Sequence, residues 1–248
     1  METIYIMWLR QLKRYWRSKP RMVGSLAQPV LFLVALGFGF GPIFQKAGGG
    51  NYIDFLAPGI IAMSILFTSV FTGIEVIWDR QFGFFKETLV APVTRTKIMI
   101  GRALGGATVG TLQGIVVFLI CLLVGFRPSN WAFLPLAIVF MFLIALLFTT
   151  LGTALASKLN DMQAFPLIIN FLVMPIFFLS GALFPLDGLP GTINIIADIN
   201  PLSYGVDGLR YAFTGVSHFS VELSLIVVFG VAAIITVIGS YMFSKIEV

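Results

Sequence analysis

The sequence predicts an all-α integral membrane protein with six transmembrane helices, an N-terminal interfacial helix and re-entrant half-helices between spans five and six. Of its 248 residues, 58% are hydrophobic and 11% are charged, and the mean hydropathy is +0.98. Soluble domains carry about 25% charged residues, so this composition indicates that most of the chain lies in lipid. One membrane domain, residues 1–248, accounts for the whole sequence.

Six segments are apolar over the roughly 20 residues that a helix needs to cross the hydrocarbon core of a bilayer. They are about 22–44, 55–77, 104–125, 131–156, 165–183 and 223–243. Backbone groups in lipid must bond to one another, which allows only helices or a closed barrel. The runs are too continuously apolar for the alternating strands of a barrel, so each is predicted to be a helix.

The segment 4–19, ahead of the first span, has a different pattern. Its apolar residues recurring every four positions are Ile4, Trp8, Leu12 and Trp16. This spacing places them on one face of a helix, and basic residues occupy the other faces. The pattern is typical of an interfacial helix with tryptophan at headgroup level, which Pro20 is expected to end. No cleavable signal is expected, because the segment lacks a continuous apolar region.

Basic residues predict the orientation. Thirteen of the sixteen lie before the first span, between spans two and three, between spans four and five, or after span six. The opposite side holds Lys46, Arg127 and Arg210. Basic loops stay in the cytoplasm, so both termini are expected there, in a protein of the cell (inner or cytoplasmic) membrane. Because topology explains these charges, no nucleic-acid partner is expected.

The outer connection, residues 184–222, contains two apolar pieces, Thr192–Ala197 and Pro201–Phe213. Both are too short to cross a bilayer. Prolines and glycines separate them, which favours two half-helices that dip into the outer leaflet. A compact loop lying on the outer surface is the alternative.

Between the second and third spans lies a charged, amphipathic insert, residues 79–103. Phe82, Phe85 and Leu89 follow a helical spacing and form one apolar face, and Ala91-Pro92 would stop the helix. From the residues alone, this helix would either dock on a partner protein or rest on lipid headgroups.

Several kinds of chemistry are not expected in this chain. The sequence has no phosphate-binding P-loop motif, and His218 and Cys121 are its only histidine and cysteine. A catalytic triad and a zinc site of the usual kind are therefore not predicted, and neither is any catalytic or metal-binding residue. Enzyme activity in the chain itself is not expected.

Glu75, near the cytoplasmic end of the second span, is the only candidate for an ionisable group in the membrane. It would either reach the interface as a surface acid or contact a basic residue such as Arg80 or Arg102 as part of a gate. The absence of charge at mid-depth in the sequence disfavours a secondary transporter.

Glycines in the third span recur every four positions, at Gly106, Gly110 and Gly114. Small residues at this spacing let helices approach closely in lipid. Packing within one chain is the favoured explanation, and a contact between subunits is the alternative.

Polar and aromatic residues in the first and fifth spans are candidates for a translocation path. Gln28 precedes a proline, and Asn170 needs a partner in hydrocarbon, so it is expected to face the interior of the bundle. Phe171 and Phe178 belong to an aromatic cluster that would suit an amphipathic substrate. The alternative is that these side chains only face lipid, which is the commoner role of phenylalanine in a span.

Four segments resemble the permease subunit of type-2 ABC transporters, in the branch of daunorubicin-resistance-type and nodulation-type exporters. They are Asp54–Met63, Asp79–Arg95, Phe178–Pro185 and Asn200–Arg210. Each is weak alone, but the four in this order, in a six-span chain of this length, are specific. The resemblance covers nearly the whole chain.

The resemblance implies a transporter built from two permeases and two separate ATPase subunits. ATP and Mg²⁺ would bind the partner ATPase, and this chain would need no cofactor. A coupling helix at about 84–90 would dock on the ATPase. The expected coupling residues are Arg80, Phe84, Phe85, Lys86, Glu87 and Leu89.

The resemblance also implies roles for other parts of the chain. The two permeases would meet through their first and fifth spans. The half-helices, including Pro201, Tyr204, Asp207 and Arg210, would line or cap the outer exit. The substrate would be an amphipathic drug, a lipid or a glycan. The alternative function is a channel, a scramblase or a membrane scaffold without an ATPase.

Overall fold

A computed structural model describes residues 2–46, 50–83, 93–159, 161–186 and 190–245. Within these ranges all regular structure is helical, with no strand. The helices are α1 Glu2–Arg17, α2 Lys19–Lys46, α3 Tyr52–Gln81, α4 Arg95–Val124, α5 Leu134–Lys158, α6 Ala164–Phe178, α7 Gly191–Ile199, α8 Pro201–Thr214 and α9 Val221–Ser244. A short 3₁₀ turn, Trp131–Phe133, leads into α5.

Five of the described helices are long and apolar enough to cross a membrane: α2, α3, α4, α5 with its 3₁₀ turn, and α9. The predicted fifth span, 165–183, is only partly helical, because α6 ends at Phe178. A tight turn follows, with Gly181 at a φ of +70° that disfavours other residues. The middle of α6, Ile169–Val173, is a π-helical turn.

Helix ends differ from the predicted ends because hydropathy marks only the apolar part of a helix. The helix α4 begins at Arg95, nine residues before the predicted span, so the last nine residues of the predicted 79–103 loop are helical. The N-terminal helix breaks at Ser18. Pro20 does not end it but lies in the first turn of α2, where proline is tolerated.

The helix α3 is the centre of the bundle, with α2, α4, α5 and α8 packed around it. The predicted glycine packing within the chain is confirmed. A Cβ placed on Gly106 would lie 2.4 Å from the Thr149 side chain of α5, and one on Gly110 would lie 2.4 Å from the Ser69 hydroxyl of α3. The three helices therefore approach as closely as small residues permit.

The predicted pair of short helices in the outer connection is confirmed as α7 and α8. Asn200 joins them and caps α8 by accepting a hydrogen bond from the Leu202 N–H at 3.0 Å. Most of α8 is buried against α3, α5 and α9, and the predicted dip of the two helices into the outer leaflet stays a prediction.

Candidate functional site

Two acidic side chains lie buried near the C-terminal end of α3. Glu75 and Asp79 are four residues apart, so they share one face of the helix. Only 2% and 4% of their surfaces are exposed. Carboxylates at this depth require cationic partners, because an isolated buried charge is costly.

Four arginines supply those partners. Arg21 lies 2.5 Å from Glu75, and Arg102 lies 2.8 Å from Asp79. Arg14 reaches both acids, at 3.5 Å from Glu75 and 3.4 Å from Asp79, and Arg10 lies 3.4 Å from Asp79. We call these six residues the Glu75–Asp79 cluster. It joins α1, α2, α3 and α4 at one end of the bundle.

The predicted partners of Glu75 are wrong. Arg102 pairs with Asp79, and the guanidinium of Arg80 donates to the Leu159 carbonyl at the end of α5. Residue 80 is five positions after residue 75, about 140° around the helix, so the two side chains point apart. Asp79 is the centre of the cluster and was not predicted as such from the sequence. The signal was present in the four-residue spacing of 75 and 79 and of Arg10 and Arg14.

Both ends of the insert between α3 and α4 are tied to other helices. On one side, Arg80 bonds the last turn of α5, and on the other, Arg95 donates to the Ser244 carbonyl of α9 at 2.8 Å. Arginine is well suited to such carbonyls, which lack partners within their own helix. The other predicted coupling residues, Phe84, Phe85, Lys86, Glu87 and Leu89, lie outside the described residues.

The helix α1 packs along the first half of α4. The Trp8 indole donates to the Thr108 hydroxyl at 3.0 Å, and the Tyr15 hydroxyl donates to Gln113 at 2.5 Å. Burial raises the pKa of Tyr15, so this hydroxyl keeps its proton and acts as a donor. The predicted apolar face is therefore divided, since Trp8 faces α4 whereas Trp16 is 68% exposed.

A crevice of about 500 Å³ opens between α2 and α3, and the predicted path residue Gln28 lines it. Its lining includes the polar residues Ser25 of α2 and Ser64 and Thr68 of α3, and much of the rest is apolar, including Phe71. Among the described residues, the buried Ser64 hydroxyl and Trp78 indole N–H have no hydrogen-bond partner. Both groups are able to bond the polar part of a ligand, and together with the apolar lining they make the crevice a candidate binding site.

The predicted path residues of α6 lie on the outside of the chain. Asn170 is exposed, so the expectation that it faces the interior of this bundle is wrong. The π-helical turn shifts the register of side chains around the helix, which a regular helical spacing does not anticipate. Phe171 and Phe178 are 81% and 45% exposed, and their role in a path stays a prediction.

The named residues of the outer segment hold α8 in place. The Asp207 carboxylate accepts from the His218 and Phe219 N–H groups at 2.8 and 2.9 Å, which fixes the turn into α9. Arg210 donates to the Gly181 carbonyl at 2.8 Å.

Two further residues complete this arrangement. The Tyr204 hydroxyl donates to the Asp198 carbonyl at 2.8 Å, and Pro201 opens α8. These contacts show a structural role, and the predicted place at an exit stays a prediction.

The comparisons with known proteins agree with this architecture. The family model described as ABC-2 type transporter matches residues 2–214. Nodulation protein J of Rhizobium leguminosarum bv. viciae is 30% identical over 78% of this chain and 75% of its own length. The inner membrane transport permease YadH of Escherichia coli K12 is 28% identical over 93% of this chain and 88% of its own length. The chain therefore belongs to the ABC-2 type transporter family and is a multi-pass membrane permease.

Proposed function

We propose that two copies of this permease form the translocation path of an ATP-driven exporter. Permeases of this family function with ABC ATPase subunits. In the proposed complex, two such subunits bind ATP and Mg²⁺ and dock on the 79–95 segment of each permease. All six apolar segments cross the membrane, with α6 as the fifth crossing, and both termini lie in the cytoplasm, where most basic residues are then found.

The observation that carries this proposal is the anchoring of the docking segment at both ends. Asp79 belongs to the Glu75–Asp79 cluster, which reaches α1, α2 and α4. Arg80 and Arg95 bond the final carbonyls of α5 and α9. A displacement of the segment by an ATPase would therefore be passed to six helices at once, as rigid coupling of nucleotide binding to transport requires.

The crevice between α2 and α3 supports an amphipathic substrate. A drug, a lipid or a lipid-linked glycan presents both apolar surface and hydrogen-bonding groups. Phe67 and Phe71 would contact the apolar part, and Gln28, Ser64 and Trp78 would bond the polar part. Ligand pockets commonly combine an apolar lining with a few polar groups that fix orientation.

The docking test is a pull-down of the tagged, detergent-solubilised permease from its own cells. The unsubstituted chain is expected to bring down a P-loop ATPase, and the variant Glu87→Ala/Leu89→Ala is expected to lose it. The matched control is Glu222→Ala/Leu223→Ala, the same pair of residue types exposed at the start of α9. It should retain the ATPase.

Two outcomes would count against the proposal. If no ATPase accompanies the folded, unsubstituted chain, a channel, scramblase or scaffold function would replace the exporter. If Glu87→Ala/Leu89→Ala retains the ATPase, the docking site lies elsewhere. Size-exclusion profiles of all three proteins establish that they are folded.

A further inference from the structure

A second, strongly basic cavity lies beside α1, apart from the crevice. It has a volume of about 810 Å³, and its lining includes Arg10, Lys13, Arg14, Arg17 and Asp79. We call it the basic cavity. Its four cations face a single carboxylate, which leaves an excess of three positive charges in the lining.

The single carboxylate of the lining already forms salt bridges with neighbouring arginines. Asp79 is shared among Arg10, Arg14 and the buried Arg102. In the part of the chain that the structure describes, neither Lys13 nor Arg17 has an acidic partner within 4.0 Å. A cavity with this balance attracts an anion, and guanidinium groups suit phosphate because they can donate two parallel hydrogen bonds.

The apolar surroundings indicate what carries that anion. Ile6, at the edge of the cavity, is 60% exposed, and Trp16, further along α1, is 68% exposed. Lys13 also lines a groove of about 240 Å³, whose other walls are apolar and include Leu12, Trp16 and Leu112. The basic cavity and an apolar groove therefore share one wall, an arrangement that matches a phosphate attached to an acyl chain.

We propose that the basic cavity binds the headgroup of an anionic phospholipid, with one acyl chain in the adjoining groove. Basic pockets beside membrane helices recognise such headgroups by charge, and interfacial helices with exposed tryptophan lie at headgroup depth. In the orientation proposed above, this lipid belongs to the cytoplasmic leaflet. The binding of the lipid does not depend on that orientation.

The test uses the purified permease alone in detergent, so its outcome does not depend on an ATPase. Phosphatidylglycerol and phosphatidylcholine are added separately, and the thermal midpoint and the lipid adducts in native mass spectrometry are recorded. Phosphatidylglycerol is expected to raise the midpoint and remain bound, and phosphatidylcholine is not. A ligand that binds only the folded state shifts the midpoint with its concentration.

The variant is Lys13→Gln/Arg17→Gln, which leaves the partners of Glu75 and Asp79 intact. Loss of two cations should weaken phosphatidylglycerol binding about 30-fold. The matched control, Lys97→Gln/Lys158→Gln, removes two exposed cations elsewhere and should bind normally. Equal midpoints of variant and parent in phosphatidylcholine establish that the variant is folded.

Three results would overturn the lipid assignment. An equal loss of phosphatidylglycerol binding in the control variant would mean that binding depends only on the overall charge of the protein. Equal stabilisation by inorganic phosphate would make the cavity a site for a free anion. Normal phosphatidylglycerol binding by Lys13→Gln/Arg17→Gln would place the lipid site outside the basic cavity.

Discussion

Asp79 illustrates how single residues of this permease accommodate charge beside lipid. Its carboxylate lies within 3.4 Å of three guanidiniums, among them that of Arg102, which is itself only 4% exposed. Burying two charges costs several kcal/mol for each ion, and their attraction does no more than offset that cost. Removing one partner is far more harmful, because it leaves the other charge buried and unpaired.

The variant Asp79→Ala is therefore expected to lower the free energy of unfolding by about 3–5 kcal/mol. Arg102 would be left without its carboxylate, and thermal unfolding in detergent would show a lower midpoint. The control is Asp198→Ala, an exposed acid whose carboxylate forms no salt bridge within the described part of the chain. Asp79→Ala/Arg102→Ala should cost less than the two single changes together, because the residues interact directly. An unchanged midpoint for Asp79→Ala would contradict this account.

At this scale the sequence drew attention to Glu75, as either a surface acid or a gate contact, but it predicted neither the burial of this residue nor its partners Arg14 and Arg21. A lone acid near the end of an apolar run is visible in the sequence. The arginines that neutralise it come from α1 and α2, and their approach depends on tertiary packing. The unpartnered Ser64 hydroxyl was missed for the same reason, since serine is common in membrane helices and only burial makes it unusual.

At the scale of elements, backbone contacts hold α3 and α5 together. A Cβ placed on Gly73 would lie 2.3 Å from the carbonyl carbon and oxygen of Gly152, and one on Gly152 would lie 2.6 Å from the Val70 carbonyl oxygen. No real Cβ is accommodated at such distances next to backbone. The two helices therefore meet at a point where each needs glycine.

Replacing Gly73 by alanine is expected to push α3 and α5 apart. The cost should be about 1–3 kcal/mol, as for other overpacked cores, seen as a lower thermal midpoint. Gly230→Ala in α9 is the matched control, because a Cβ there meets nothing within 4 Å. It should leave the midpoint unchanged or raise it slightly, since alanine favours helix. Equal effects of the two changes would show that the close approach is not needed.

Helix positions were predicted well from the sequence, and helix ends were not. Apolar length placed α2, α3, α4, α5 and α9, because lipid makes that length a physical requirement. It could not place Arg95 inside α4, since charged residues continue a helix beyond the apolar core. It also overestimated α6, because Leu179 and its neighbours are apolar without being helical.

For the whole molecule, the distribution of burial distinguishes an inner group of helices from an outer one. Of an 18-residue apolar stretch within α3, 78% of the residues are buried, whereas the share is 17% for the corresponding stretches of α2 and α9. Exposed apolar side chains on α2, α6 and α9 therefore face lipid or another copy of the chain. The proposed pairing through the first and fifth crossings assigns α2 and α6 to the partner and α9 to lipid.

Cross-linking can test this assignment. Cys121 is the only cysteine, so Cys121→Ala provides a background without thiols. Phe171→Cys, at an 81% exposed position of α6, is expected to give a dimer with a short bismaleimide in membranes. Val237→Cys, at a 71% exposed position of α9, is the matched control and should stay monomeric. A dimer through Val237→Cys alone would place the contact on α9.

The order of the Glu75–Asp79 cluster along the chain also has a consequence for synthesis. Its four arginines and two acids all lie within the first 102 residues. A nascent chain therefore contains every member before the ribosome has made α5. Charged groups that enter lipid alone pay a heavy penalty. Here the acids of α3 can be neutralised as soon as α4 begins to emerge, so the later helices join a bundle whose buried carboxylates already have their partners.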